Sequence, residues 1–107
     1  MQIVVMALCR KGTSLREAIG SDAKLGDYSL AIGKKKQMGR RTGWLKVHST
    51  DKQRGAINVE WDSQADVLTA RVITRGVQRP SAIVGDFINY LLARHRKRIV
   101  AITTAQR

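Results

Sequence analysis

The chain has 107 residues, of which twenty are Lys or Arg and eight are Asp or Glu, so its formal net charge is +12. This length predicts one domain over residues 1–107, and the apolar fraction of 43% argues against a wholly disordered chain. Self-repulsion of this charge opposes compaction and therefore favours an anionic partner, with nucleic acid ahead of an acidic protein or a membrane surface.

The first part of the chain predicts a strand, a short helix and a second strand. The run QIVVMALC is apolar and rich in β-branched residues, which is typical of a strand buried on both faces. Ser14 and Glu17 have the spacing of a capping box and predict the start of a two-turn helix that stops at Gly20. A weaker strand is predicted from Tyr28 to Ile32.

A flexible basic loop is predicted at about residues 33–43, where GKKKQMGRRTG concentrates cations with no acid among them. Such a segment matches a phosphate chain, because each neutralised phosphate releases condensed counterions. A solvated surface loop without a ligand is the plainer alternative. We predict phosphate contacts from five side chains of this loop: Lys34, Lys35, Lys36, Arg40 and Arg41.

Alternating apolar and polar residues from about 44 to 75 predict a three-strand antiparallel meander with one covered face. Leu45 and Val47 are expected on the covered face of its first strand. In the second strand Ile57 and Trp61 are expected to face the same way.

The outer face of the meander is predicted to adjoin the basic loop. An aromatic side chain among cations on an open sheet is typical of proteins that stack single-stranded bases while holding their phosphates. The sequence has neither an RRM signature nor a GXXG motif, so RNA and DNA both stay open. The nucleic-acid-binding residues predicted on this face are Trp44, Lys46, His48 and Arg71.

A helix at about 81–97 is predicted to cover the meander, and IVAITT is predicted to form a final strand. Pro80 suits the first helical turn, and apolar residues recur at helical spacing after it. The helix end carries more cations than its macrodipole favours. These cations form a second predicted nucleic-acid-binding patch: Arg94, Arg96, Lys97 and Arg98.

The predicted order β-α-β-β-β-β-α-β indicates an α+β two-layer sandwich, with a mostly antiparallel sheet and helices on one face. The function that fits best is a small nucleic-acid-binding protein that contacts the phosphate backbone, with single strands and RNA as the candidate forms of the ligand. An oligomeric protein-interaction module without nucleic acid is one alternative, since edge strands and a small core favour a homodimer or a larger assembly.

A small metal-independent ribonuclease is the second alternative, with His48 and His95 as general base and acid. Nothing in the spacing brings these histidines together, so catalysis is the less favoured hypothesis and no catalytic residue is predicted. No cofactor or metal site is predicted, because the acids are mostly scattered singly and no GxxxxGK loop occurs.

The lone Cys9 is predicted to be a small buried hydrophobe, which fits a reducing cytoplasm. QIVVMAL lacks the preceding positive residue of a signal peptide, and no apolar run approaches the length of a membrane span. A cytoplasmic location without a membrane partner is therefore expected.

Overall fold

The computed structural model describes residues 2–12, 14–50, 55–74 and 79–106, and these contain one six-stranded sheet and two α-helices. The strand order across the sheet is β2-β3-β4-β5-β1-β6, and all neighbouring strands are antiparallel. The predicted α+β class and element order are confirmed. The elements are β1 (Gln2–Cys9), α1 (Leu15–Gly20), β2 (Leu30–Lys34), β3 (Leu45–Ser49), β4 (Gly55–Asp62), β5 (Val67–Thr74), α2 (Ser81–Arg94) and β6 (Ile99–Gln106), with 3₁₀ turns at Leu25–Tyr28 and Arg96–Arg98.

The hydrophobic core lies between the two helices and one face of the sheet. A buried row crosses four strands where Leu45 pairs with Val59, Val59 with Ala70, and Ala70 with Val5. The apolar residues of α1 and α2 belong to the same buried cluster as this row. Both helices therefore cover one face, and the other face of the sheet is open.

The prediction that the first strand is buried on both faces is wrong. The side chains of Met6 and Leu8 are 42% and 45% exposed, whereas Val5 and Ala7 between them are fully buried. β1 does lie inside the sheet, between β5 and β6. Helices cover only one side of it, so its apolar composition reflects one buried face and one open apolar face.

The predicted helix starts and ends are close to those observed. The Oγ of Ser14 accepts a hydrogen bond from the backbone N–H of Glu17 at 3.2 Å, which confirms the predicted cap of α1. α2 starts directly after Pro80 and ends at Arg94, earlier than the predicted 97, because His95 leaves the helical conformation with φ −131° and ψ 14°. β2 starts after Ser29, whose φ of 63° ends the preceding turn.

Among the described residues, no helix is long and apolar enough to cross a membrane.

Candidate nucleic-acid interface

The loop between β2 and β3 displays its cations to solvent. Every residue from 33 to 42 is exposed. The turn closes where the backbone N–H of Arg40 donates to the carbonyl of Gln37 at 3.0 Å. Gly39 occupies the left-handed region at φ +83°, which glycine adopts without strain. All five cations predicted to contact phosphate therefore lie on an accessible segment.

The base of this loop is held by a buried arginine that the sequence did not identify. Arg16 in α1 is 8% exposed. Its Nη2 donates to the carbonyl oxygens of Lys35 at 2.8 Å and Trp44 at 3.1 Å, and its Nη1 pairs with the carboxylate of Glu17. One guanidinium thus joins the first and last residues of the loop, so the exposed cations are carried on a fixed base.

A second contact attaches the loop to β4. The backbone N–H of Trp61 donates to the carbonyl of Gly43 at 3.1 Å. A Cβ at residue 43 would lie only 2.7 Å from the carbonyl oxygen of Trp61. Glycine is therefore required at this position for the loop to return beside the strand.

Three cations lie in one transverse row of paired strand residues. Two of them, Lys46 and Arg71, are on the open face of the sheet, while Lys34 pairs beside the register irregularity of β2. Lys34 pairs with Lys46, Lys46 with Asn58, and Asn58 with Arg71. Directly paired residues of antiparallel strands place their side chains on the same face, and Lys46 lies on the face opposite the buried Leu45 and Val47. The row spans β2 to β5, which is about 14 Å at ~4.8 Å per strand.

Two further polar side chains border this row. His48 is exposed on the same face of β3, two residues beyond Lys46. Glu60 approaches Arg71 with an N–O distance of 3.5 Å, and the two side chains are 39% and 38% exposed. Solvent screens such an exposed pair, so Arg71 remains accessible to an anion.

The prediction that Trp44 offers an exposed ring for base stacking is wrong. Its side chain is 1% exposed and is one of the largest fully buried side chains. The guanidinium of Arg40 lies over its ring, 5.5 Å from the centroid. Trp44 is the residue just before β3, so the alternation of the strand does not fix its direction. It anchors the loop and is not available for base stacking.

Trp61, expected on the covered face, is only partly buried. It belongs to the end of β4, where the helices cover the sheet incompletely. Beside it lies a cleft of about 450 Å³ lined by Arg41, Glu60, Asp62 and Gln64 among others. The two carboxylates make this cleft unfavourable for phosphate, so phosphate contacts near this end of β4 are expected on the loop and the transverse row.

The second predicted patch lies apart from the first. Arg98 is near β1, because its carbonyl accepts a hydrogen bond from the N–H of Arg10 at 2.8 Å. Both basic segments lie at the same end of the strands, but the loop is at the β2 edge and the patch is at the β6 edge, five strand spacings or about 24 Å away. The β4–β5 turn, with Asp62 and Asp66, lies between them.

Arg94 differs from the other cations of the second patch. Its Nη2 and Nε donate to the two carboxylate oxygens of Asp22 at 3.1 and 3.2 Å. This contact serves the fold and reduces the charge that Arg94 offers to a ligand. The 3₁₀ turn that follows α2 keeps three exposed cations: Arg96, Lys97 and Arg98.

Asp22 is the centre of a polar cluster on the helix side of the sheet. Its carboxylate accepts from the hydroxyl of Tyr90 at 2.9 Å, and that hydroxyl oxygen is 2.8 Å from Nε2 of His95. When the tyrosine hydroxyl donates to Asp22, a proton on Nε2 of His95 completes the second bond, and Nε2 also lies 3.2 Å from the same Asp22 oxygen. Burial raises the pKa of Asp22, but the hydrogen bonds from Arg94, the Lys24 backbone and Tyr90 outweigh it and lower the pKa to about 2.

The two histidines of the ribonuclease hypothesis lie apart from each other, because His95 belongs to this polar cluster and His48 does not. His95 is buried beside Tyr90 on the helix side, and burial lowers its pKa. His48 is exposed on the open face of the sheet. The two imidazoles therefore lie on opposite sides of the sheet and do not form the acid–base pair that the hypothesis requires.

Comparisons with protein-family models, with curated proteins and with solved structures found no match for this chain. Within the described ranges, no group of three or more His, Cys, Asp or Glu side chains is arranged to hold a metal ion.

Proposed function

We propose that this protein binds nucleic acid through the phosphate backbone, using the basic loop and the transverse row on the open sheet face. The observation that carries the proposal is the strand register that aligns Lys34, Lys46 and Arg71. Lys34 belongs both to this row and to the start of the loop, so the two cationic elements form one continuous surface.

The charges of this surface suit an extended polyanion better than a small anion. The row crosses four strands, and the loop cations continue it beyond the β2 edge. Of the acids nearby, only Glu60 forms an ion pair with a member of the row among the described residues. A chain of phosphates can contact several of these cations in succession and release counterions at each contact.

The proposed binding mode depends on phosphate and is largely independent of base sequence. Trp44 is buried, so the aromatic stacking expected on this face is unavailable. Contacts to phosphate position a protein on nucleic acid without reading its sequence. The ligand class is accordingly nucleic acid in general, with single-stranded RNA and DNA as the first forms to compare.

The test is the salt dependence of binding to single- and double-stranded RNA and DNA. If about five phosphates are neutralised, the logarithm of affinity falls against the logarithm of salt concentration with a slope of roughly −3.5 to −4.5. The double variant Lys46→Ala/Arg71→Ala should reduce the magnitude of this slope by the contribution of about two phosphate contacts. It should also weaken binding to all sequences alike.

The matched control removes the same charge outside the proposed surface. Lys24 and Arg79 are both exposed, and Lys24→Ala/Arg79→Ala should leave the slope nearly unchanged. Equal losses in the two double variants would mean that net charge, and not this surface, determines binding. A flat salt dependence of the unmodified protein would reject the proposal.

A cytoplasmic location belongs to the same proposal. The free thiol of Cys9 is 6% exposed, and burial raises its pKa, which keeps it protonated and unreactive. A chain without a disulfide among its described residues needs no oxidising compartment. Cell fractionation with detection of the native protein tests this location.

A further inference from the structure

Charge is distributed very unevenly over the six strands. β1 and β6 are neighbours at one side of the sheet, and neither of these eight-residue strands contains a charged residue. At the opposite side, β2 ends in Lys34 and continues into the basic loop. In a chain with a net charge of +12, the paired lengths of β1 and β6 therefore carry no cation, and the nearest described cations stand at their ends, at Arg10 and Arg96–Arg98.

The outer edge of β6 is an unprotected strand edge. No strand among the described residues pairs with its free side. Five of its residues from 100 to 105 are exposed, and the strand contains neither proline nor lysine. Edge strands of soluble proteins are normally blocked by such residues, by bulges or by a covering element, because their free N–H and C=O groups pair readily with another strand.

The two edge strands of the sheet, β2 and β6, differ in how well they can pair with another strand. β2 has five residues, a register irregularity between Ile32 and Lys34, and a cationic end. β6 has eight residues, and its own irregularity is confined to its start, where Leu8 and Cys9 pair with Ala101 and Ile99. From Ala101 to Gln106 the strand pairs regularly with β1, so its free edge is regular as well.

We propose that β6 is a dimerisation strand, which pairs antiparallel with β6 of a second copy of this chain. Two molecules of equal charge repel each other less where the paired strands carry no cation, and β6 carries none over Ile99–Gln106. Antiparallel pairing of a strand with itself satisfies two-fold symmetry. The two sheets then form one continuous twelve-stranded sheet.

The side chains at this edge suit such an interface. With a two-fold axis at Thr103, Ala101 faces Ala105 of the partner subunit, and small side chains meet on the open face. The pairing also extends an apolar strip of that face formed by Met6 and Leu8, which are 42% and 45% exposed. In the dimer the two β6 strands lie between these strips, so the interface is formed by the backbone hydrogen bonds and the small side chains of β6.

The dimer places the proposed nucleic-acid surfaces at its two far ends. In each copy the transverse row begins at β2, the strand most distant from β6. Repulsion between the two loops is then minimal, because they are separated by nearly the whole width of the joined sheets. The inference does not rest on nucleic-acid binding, since it depends only on β1 and β6.

The test is the mass of the protein in solution after nuclease treatment and at high salt, where bound nucleic acid cannot bridge two copies. Light scattering and sedimentation equilibrium should give twice the chain mass of 11.9 kDa. The double variant Thr103→Lys/Ala105→Lys places two cations on the open side of β6 and should give the mass of one chain. A circular dichroism melt verifies that the variant remains folded.

The matched control adds two lysines elsewhere. Ala82 and Ala93 are exposed on α2, and Ala82→Lys/Ala93→Lys should remain dimeric. Hydrogen exchange of residues 99–106 provides a second measurement, since protection of their amides should rise with protein concentration in the unmodified chain and in the α2 variant, but not in the β6 variant. A monomeric unmodified protein, or a dimer that survives the β6 substitutions, overturns the inference.

The two proposals fail separately. A monomer whose binding shows the steep salt slope rejects only the dimerisation strand. A dimer that binds neither RNA nor DNA rejects only the proposed function.

Discussion

The guanidinium of Arg16 and the backbone carbonyl of Trp44 are joined by two hydrogen bonds, from Nη2 at 3.1 Å and from Nε at 3.4 Å. Nη2 also reaches the carbonyl of Lys35 at 2.8 Å. Arg16 thus joins the start and the end of the most cationic segment of the chain. Because Arg16 is itself a cation, the positive charges of the loop repel it. Buried carbonyl acceptors offset this repulsion, because they hydrogen-bond the guanidinium directly.

Arg16→Lys should lower the free energy of unfolding by about 1–3 kcal/mol, because a lysine amine lacks the planar donor set that bridges both carbonyls. Hydrogen exchange of residues 35–44 should accelerate more than that of β4 and β5. Urea unfolding and peptide-resolved exchange measure the two effects.

The control for this prediction is Glu17→Gln, which keeps the Arg16 guanidinium and its two carbonyl acceptors and removes only the charge of its ion-pair partner. The Glu17 side chain is 70% exposed, so its removal as a charge should change stability little. Unchanged exchange of residues 35–44 in Arg16→Lys would show that the loop does not depend on this anchor.

Gly43→Ala should destabilise the fold by about 1–3 kcal/mol, since overpacking forces the backbone to shift. The added Cβ would lie 2.7 Å from the carbonyl oxygen of Trp61, which has no flexible side chain to move aside. Gly85→Ala is the opposite control: no atom lies within 4 Å of a Cβ there, and alanine in a helix interior should stabilise by about 0.5–1 kcal/mol. Thermal melts of both variants check the signs. Equal melting temperatures would contradict the close approach of residue 43 to β4.

The sequence predicted the parts of this structure that depend on local pattern. The alternation of Leu45, Val47 and Ile57 placed β3 and β4 in the sheet with the correct face inward, and all three side chains are fully buried. Pattern alone could not reveal how many faces of the sheet are covered. The apolar run of β1 fits two structures equally well: a strand that lies between two covering layers, and a strand with one covered face and one open apolar face.

Tertiary contacts determined the rest. Arg16 occurs in a helix of six residues and has no sequence feature that marks it as buried. Trp44 is buried although its position just before β3 predicted exposure, and Trp61, near the end of β4, is only partly buried although the alternation predicted a covered side chain. The cationic row depends on the pairing of β2 with β3 and of β4 with β5, which the alternation predicted only for the meander.

Trp44→Phe should lower stability by about 1–2 kcal/mol through a smaller buried ring and leave nucleic-acid affinity unchanged. Its Nε1 is buried without a hydrogen-bond partner among the described residues, so phenylalanine loses no hydrogen bond there. Chemical unfolding and binding titrations separate the two properties.

Lys46→Ala should show the reverse pattern, with weaker binding and little loss of stability. A Trp44→Phe protein that folds normally but binds weakly would restore a stacking role for this tryptophan.

Asp22→Asn should destabilise the fold at neutral pH by about 1–3 kcal/mol, because the buried hydroxyl of Tyr90 and the Nη2 of Arg94 lose a charged acceptor. The pKa of Asp22 is lowered from its ordinary 3.8 to about 2 in the fold. Its contribution to stability is therefore complete above pH 3.8 and is lost as the pH falls toward about 2. The difference in unfolding free energy between the unmodified chain and the variant, measured by urea titration at several pH values, should shrink over this interval. Asp27→Asn, at an exposed residue, should not show this effect. A difference that stays constant down to pH 2 would mean that the carboxylate charge of Asp22 does not hold the helix end in place.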